Sequence, residues 1–204
     1  MTSLHSDQRA DRVDNSAVEA RDREWLARIR EADEPAFEAV FHAYSAGLYR
    51  FVYGCVGSAA IAEELVQDLF FKLWTERAGG LGEQPLRAYL YTVARSRSLD
   101  YLRHERVVAK VSGEVANAGV VLAMGRLVVP ADERLRAEEA NAALERVIKE
   151  LPERARQAFT LYWRHELRYA EVAAVMGISV KTVENHLATA LKILRRRLAS
   201  FYQS

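Results

Sequence analysis

The side chains that could do chemistry are concentrated near the carboxyl end of the chain, in residues 179–198. Apolar residues recur there at three- and four-residue spacing, which predicts a helix with one buried face. The first turns of the opposite face carry groups that can hydrogen-bond to base edges and phosphates. These groups belong to Ser179, Lys181, Thr182, Glu184, Asn185 and His186. The pattern indicates recognition of nucleic acid.

A tight turn is expected to position this polar face. Residues 169–176 predict a short apolar helix, Gly177 is the residue type that ends a helix in the left-handed conformation, and Ser179 can cap the next helix. A helix-turn-helix of this kind places the start of its second helix in the major groove. An ordinary helical hairpin is the alternative. The polar front face and the basic residues Arg195 and Arg196, which suit phosphate contacts, favour DNA binding.

A second basic segment lies in the middle of the chain. The net charge is only +1, but residues 86–106 hold five arginines against two acids, and residues 179–204 hold five lysines and arginines against one acid. Pro85 opens a predicted helix whose apolar side includes Leu86 and Leu90. Arg87, Tyr91, Arg95 and Arg106 are expected to project from roughly the opposite side. Two separate contacts with nucleic acid are therefore more plausible than one.

A third group of polar residues lies off the apolar stripe of the helix predicted over residues 59–75. An acidic, amide-bearing helix face can pair with arginines of a partner protein, although a solvated charged face is the simpler alternative. The residues concerned are Glu64, Gln67, Asp68 and Phe71.

The helical periods place these groups in an all-α fold with two small domains. Residues 1–23 are polar and charged and are expected to be disordered. The first domain covers 24–106, with Asp33 and Ser58 as helix caps and Gly57 as a helix end. Residues 107–132, rich in Val, Ala and Gly, are interpreted as a flexible linker. The linker is apolar enough to be held against a partner, although packing back onto the two domains is as plausible. The second domain covers 133–204 and contains the helix-turn-helix.

Composition argues against several function classes. The only cysteine, Cys55, excludes an internal disulfide and is expected to be a buried apolar residue. The five histidines are scattered, and neither an HxxxH motif nor a paired-carboxylate cluster appears, so neither a metal site, a cofactor nor a catalytic residue is predicted. No apolar run of eighteen residues and no secretory signal occur, which predicts a cytoplasmic protein without direct membrane insertion.

Three stretches resemble the extracytoplasmic-function group of bacterial sigma factors, the smallest proteins of the sigma-70 type. They are AEELVQDLFFKLW (62–74), LRAYLYTVARSRSLDYLR (86–103) and residues 151–198, which begin LPERARQAFTLYWRHEL. The resemblance covers about three quarters of the chain, in the order and spacing of the family's second and fourth regions. It implies a protein without catalytic activity that binds core RNA polymerase, recognises two promoter elements and helps to open the DNA. An anti-sigma factor is a further implied partner.

The resemblance also assigns roles to the three groups. It implies that Glu64, Gln67, Asp68 and Phe71 bind the polymerase, and that the helix from Val180 reads the −35 element. For the −10 element it implies Arg87, Tyr91, Arg95, Ser96, Arg103 and Arg106. Family members often have Asn where Ser96 stands, which places a base contact there in doubt. Asp100 is expected to form a structural ion pair or a cap instead, because a carboxylate repels phosphate.

Three other functions are alternatives to a sigma factor. A two-component or quorum-type regulator shares the wording of the helix-turn-helix, but residues 24–106 lack the alternating strands of a receiver domain. A helical hydrolase or metal enzyme lacks its clusters of ligands or catalytic groups. A sigma-like binding module that no longer supports transcription stays open from the sequence.

Overall fold

In the computed structural model, residues 3–77, 84–112 and 134–201 are described, and they contain eight helices and no strand. The predicted all-α class is confirmed. The helices are α1 (Ser3–Arg30), α2 (Glu34–Val56), α3 (Ala59–Thr75), α4 (Leu86–Ser112), α5 (Arg134–Lys149), α6 (Glu153–Trp163), α7 (Tyr169–Met176) and α8 (Val180–Phe201).

The first four helices form the amino-terminal unit, in which α2 packs on α1, α3 and α4. Leu48, Leu69, Leu73 and Leu90 are fully buried at its centre. Burying a leucine side chain contributes about 1.5–3 kcal/mol, so this apolar contact rather than helix propensity holds the unit together.

Local signals define the ends of these helices as the sequence predicts. Asp33 caps α2, because its carboxylate accepts a hydrogen bond from the Ala36 amide at 3.0 Å. Gly57 ends α2 with φ of 75°, a conformation that favours glycine. Ser58 caps α3 through the Ile61 amide at 3.5 Å.

The last four helices form the carboxyl-terminal unit, in which α8 packs on α5, α6 and α7. Leu167, Val172 and Val183 are fully buried at its centre. The Arg168 amide donates to the buried carboxylate of Glu171 at 2.8 Å, which satisfies a free N–H at the start of α7. This bond fixes where the helix-turn-helix begins.

The helix α1 begins at Ser3, so it overlaps the segment 1–23 for which the sequence predicts disorder. Polar contacts bind the part of α1 around Asp22 to the core. Asp22 is 4% exposed and accepts a short hydrogen bond from the Tyr44 hydroxyl of α2, while Arg21 pairs with the same carboxylate at 3.1 Å. Burial, followed by the bond to Asp22, holds the pKa of Tyr44 well above its usual value. These contacts bury a carboxylate of α1 against α2.

The helix α4 also runs further than predicted, to Ser112 rather than 106. Most of the predicted linker, residues 113–132, lies outside the described residues. The two units contact each other directly, because α4 packs along α7.

Candidate nucleic-acid interface

The turn of the helix-turn-helix is built by two residues that the sequence identifies. Gly177 has φ of 65° and ψ of 41°, and the next amide, that of Ile178, donates to the Ala173 carbonyl at 3.0 Å. Ser179 Oγ then accepts from the Thr182 amide at 3.1 Å and starts α8. Both predictions are confirmed, and together they fix the angle at which α8 leaves α7.

One face of α8 is buried and the other is open to solvent. Its apolar face is buried against the carboxyl-terminal unit through Val183, Leu187, Ala190 and Leu194. The structure brings the polar residues expected from the sequence together on the open side of α8. Ser179, Lys181, Asn185, Arg195 and Arg196 are exposed, and Thr182, Glu184 and His186 are half-buried. Hydrogen-bonding groups thus follow the outer face of α8 from its first turn onwards.

One ion pair organises the first turn of this face. Lys181 Nζ lies 2.9 Å from Glu184 Oε2, and the lysine side chain is 79% exposed. An exposed pair of this kind contributes less than about 1 kcal/mol, so a phosphate or base edge can displace either partner. The pair orients Lys181 without sequestering it.

The predicted −10 residues on α4 separate into two groups. Ser96, near the middle of the helix, and Arg103 and Arg106, in its carboxyl-terminal half, are exposed. Arg103 pairs with Asp100 at 2.6 Å, so the structural ion pair expected for Asp100 is confirmed. These exposed groups can reach a nucleic-acid backbone in the present conformation.

The other −10 residues are covered by the carboxyl-terminal unit. Tyr91 is 3% exposed, and its hydroxyl lies 3.2 Å from His165 Nδ1. Arg87 donates to the backbone carbonyl of His165, and half-buried Arg95 lines a small cavity with Gln157 and other residues of both units. The expectation that Tyr91 projects away from the core is therefore wrong for this conformation. Helical period alone cannot indicate that a second unit covers that side.

His165 is the residue of this region whose position the sequence does not reveal. Its ring contacts Phe51 edge-on at 5.5 Å and Tyr91 at 5.2 Å. Burial, followed by the nearby guanidinium groups of Arg50 and Arg164, lowers the pKa of His165 to about 3. No local signal could have identified it, because its partners lie more than seventy residues away.

The third group forms one stripe along α3. Glu64, Gln67 and Asp68 are exposed, and Phe71, one turn further, is 70% exposed. Phe70, its neighbour in sequence, is 3% exposed in the core. An aromatic ring left in water beside acidic and amide groups has the composition of a docking site.

Two kinds of site are not found in the part of the chain that the structure describes. No group of histidine, cysteine and carboxylate side chains there could hold a metal ion. None of the described helices combines the length and apolar character needed to span a bilayer. Cys55 is a buried free thiol, as expected.

Comparisons with known proteins match both units. The model for sigma-70 region 2 matches residues 40–107, and the model for sigma-70 region 4 matches residues 141–194. The chain is similar to the probable RNA polymerase sigma factor RfaY of Xanthomonas campestris, at 30% identity over 68% of this chain and 34% of that protein. It is similar to the ECF RNA polymerase sigma factor SigW of Bacillus subtilis, at 22% identity over 85% of this chain and 94% of that protein.

Solved structures show the same fold. CnrH, solved in complex with the cytosolic domain of CnrY, matches with a TM-score of 0.59 and 19% identity, over 88% of this chain and 98% of that chain. The chain spans about a third of the length of RfaY and nearly all of SigW.

Proposed function

The chain belongs to the sigma-70 family, in the extracytoplasmic-function group of RNA polymerase sigma factors. We propose that three separate surfaces of the chain dock on the polymerase, read the −35 element and read the −10 element. As a sigma factor it directs promoter-specific initiation and is not an enzyme. We assign region 2 to residues 24–106 and region 4 to residues 133–204. The observation that carries the proposal is the helix-turn-helix, whose polar face is open over several turns.

The polymerase-docking surface is the α3 stripe of Glu64, Gln67, Asp68 and Phe71. The carboxylates and the amide can bind arginine side chains of the partner, and Phe71 can bury its ring in an apolar pocket. Its exposure supports this role, since a structural aromatic residue would face the core as Phe70 does.

The −35 reader is the outer face of α8. An asparagine can pair bidentately with adenine and a lysine can bind guanine, so Asn185 and Lys181 are the first candidates for base reading. Thr182 and His186 flank them, and Glu184 can accept from cytosine. Arg195 and Arg196 lie four turns along the helix and suit phosphate contacts that fix its register.

The −10 reader is α4. Arg87, Arg95, Arg103 and Arg106 provide cations along a single strand, and Tyr91 provides a ring on which an unstacked base can lie. Ser96 is the shorter polar residue between them. Because Arg87, Tyr91 and Arg95 are covered in this conformation, the −10 reader requires the two units to separate.

An anti-sigma factor and a cytoplasmic location belong to the same proposal. CnrH is seen with CnrY, and RpoE is seen with the anti-sigma factor NepR from Bartonella quintana. The chain shares their fold, which supports a partner of this class. Binding to core polymerase places the protein in the cytoplasm.

Transcription reconstituted from purified components tests the function. Core polymerase, the chain and fragments of the source genome would be combined, and the initiation sites mapped by sequencing the 5′ ends of the transcripts. We expect initiation at sites that share a −35 and a −10 element and that core polymerase alone does not use. Binding of core without any initiation would instead support the sigma-like binding module.

A further inference from the structure

The contact between the two units is centred on His165. The buried imidazole lies edge-on to Phe51 at 5.5 Å, and its Nδ1 is 3.2 Å from the Tyr91 hydroxyl. The backbone carbonyl of His165 accepts a hydrogen bond from Arg87. The next residue, Glu166, has φ of 53°, a conformation that non-glycine residues rarely adopt and that the surrounding contacts must hold. We call His165, Tyr91, Arg87 and Phe51 the latch.

Two further features fit the latch. A Cβ atom at Gly47 of α2 would lie 2.9 Å from the Tyr91 hydroxyl, so the absence of a side chain there leaves room for the hydroxyl beside His165. Outside the latch, Arg168 at the start of α7 pairs with Glu19 of α1. This partly buried pair shows that α1 also reaches the carboxyl-terminal unit.

The charges around the imidazole are predominantly positive. Those that act on it come from α2, α4 and the end of α6 and are all guanidinium groups: Arg50, Arg87 and Arg164. Two carboxylates act on the neighbouring Tyr91, Glu166 and Glu171, and the second is already bonded to the Arg168 amide. The ring is neutral here, since burial first and these cations second lower the pKa of His165 to about 3.

We propose that the latch holds the free protein in a closed state and that protonation of the His165 ring opens it. A neutral ring can accept a hydrogen bond from the Tyr91 hydroxyl at Nδ1, whereas a protonated ring has only donors. A protonated ring also adds a fourth positive charge to the three guanidinium groups around it. The opening of the latch does not depend on the proposed function. Only its consequence does, because opening exposes the proposed −10 residues Arg87, Tyr91 and Arg95.

The sign of the pH dependence follows from the neutral ring. In the open state His165 titrates near its ordinary pKa of about 6.5, and in the closed state it stays neutral down to about pH 3. The closed state is therefore fully favoured above pH 6.5 and is weakened as the pH falls below it. Between pH 7.5 and pH 5.5 the ratio of closed to open molecules should fall about tenfold.

The native cysteine provides a reporter of opening. Cys55 is buried and lines a small cavity between α2, α4 and α6, together with Gln157 and Leu161 of the other unit. Its rate of reaction with 4,4′-dithiodipyridine would be measured across this pH range. The protection factor is the reaction rate of Cys55 in the urea-unfolded chain divided by its rate in the folded chain at the same pH. This ratio cancels the change of the thiolate fraction with pH. It is proportional to the ratio of closed to open molecules.

Three variants separate the latch from other causes. His165→Asn keeps a polar atom near the position of Nδ1 but cannot titrate, so its protection should not depend on pH. Gly47→Ala displaces the Tyr91 hydroxyl while favouring the helix, so its protection should be lower at every pH. His104→Asn, which replaces an exposed histidine of α4, should respond to pH as the native chain does.

Global unfolding is monitored by a second reporter. Val66→Cys in a Cys55→Ala chain places a thiol in the core of the amino-terminal unit, and its protection should not follow the titration of His165. A native protection factor that is unchanged between pH 7.5 and 5.5 would overturn the proposal, and so would an equal fall in His165→Asn. The assay contains neither polymerase nor DNA, so its failure is independent of the proposed function.

Discussion

Phe71 offers the most direct test of how the surfaces are divided. Its ring is 70% exposed on α3, so Phe71→Ala removes no core contact and should change the free energy of unfolding by less than about 0.5 kcal/mol. If the ring is buried on core polymerase, its loss removes about 2 kcal/mol of the 1.5–3 kcal/mol that a fully buried phenylalanine contributes. That corresponds to roughly thirtyfold weaker binding of the polymerase.

The neighbouring Phe70 is the matched control, because it has the same side chain but lies on the buried face of α3. Phe70 is 3% exposed, and Phe70→Ala should destabilise the protein by about 3–5 kcal/mol. A second control is Tyr53→Ala, which removes an exposed aromatic ring of α2 and should leave binding unchanged. Urea denaturation would give the stabilities, and fluorescence anisotropy of labelled protein with core polymerase would give the dissociation constants.

The result that would refute this reasoning is a native dissociation constant for Phe71→Ala. The exposed ring would then have no part in docking, and the α3 stripe would be the solvated charged face that the sequence also allows. Equal losses of binding in Phe71→Ala and Tyr53→Ala would indicate a nonspecific apolar contact.

Four other substitutions test different parts of the molecule. Lys181→Ala and Asn185→Ala should each weaken binding of −35 duplex DNA by about 1–3 kcal/mol per lost base contact. Binding of core polymerase in the same anisotropy assay should stay native. An equal loss of binding to unrelated DNA would show that Lys181 and Asn185 contact only the DNA backbone. Tyr44→Phe leaves buried Asp22 without its hydroxyl donor, so it should lower the free energy of unfolding in urea by about 1–3 kcal/mol. Amide hydrogen exchange in residues 16–30 should become faster. Unchanged exchange there would mean that another contact holds α1. Gly177→Ala should lower stability by about 1–2 kcal/mol because φ is 65°, whereas a stability equal to native in thermal denaturation would indicate that the turn has relaxed.

The sequence predicts features that depend on neighbouring residues. Asp33, Gly57, Gly177 and Ser179 act on partners within a few residues, so local rules place the ends of the helices correctly. The open face of α8 follows for the same reason, since its position is fixed by helical period and by the turn before it.

Contacts between distant residues account for what the sequence could not predict. Composition indicates disorder for residues 1–23, and it does not reveal the Asp22–Tyr44 bond, which joins residues 22 positions apart and holds that part of α1 on the core. Tyr91 lies on the side of α4 that the pattern leaves open, and it is buried by His165, 74 residues away. The role of a polar side chain thus depends on whether another unit covers it, which periodicity within one helix does not record.

The closed state affects the two proposed DNA readers unequally. Every residue proposed for −35 reading is at least partly exposed on α8, whereas Arg87, Tyr91 and Arg95 are held between the units. The Nε atom of Arg87 is buried without a hydrogen-bond partner among the described residues, so the closed state leaves one donor of this arginine unsatisfied. A strand of DNA that supplied a phosphate to Arg87 would satisfy that donor and replace the His165 carbonyl. The proposed latch would therefore oppose the proposed −10 contact specifically, and occupation of α4 by DNA and opening of the latch would favour each other by the same free energy.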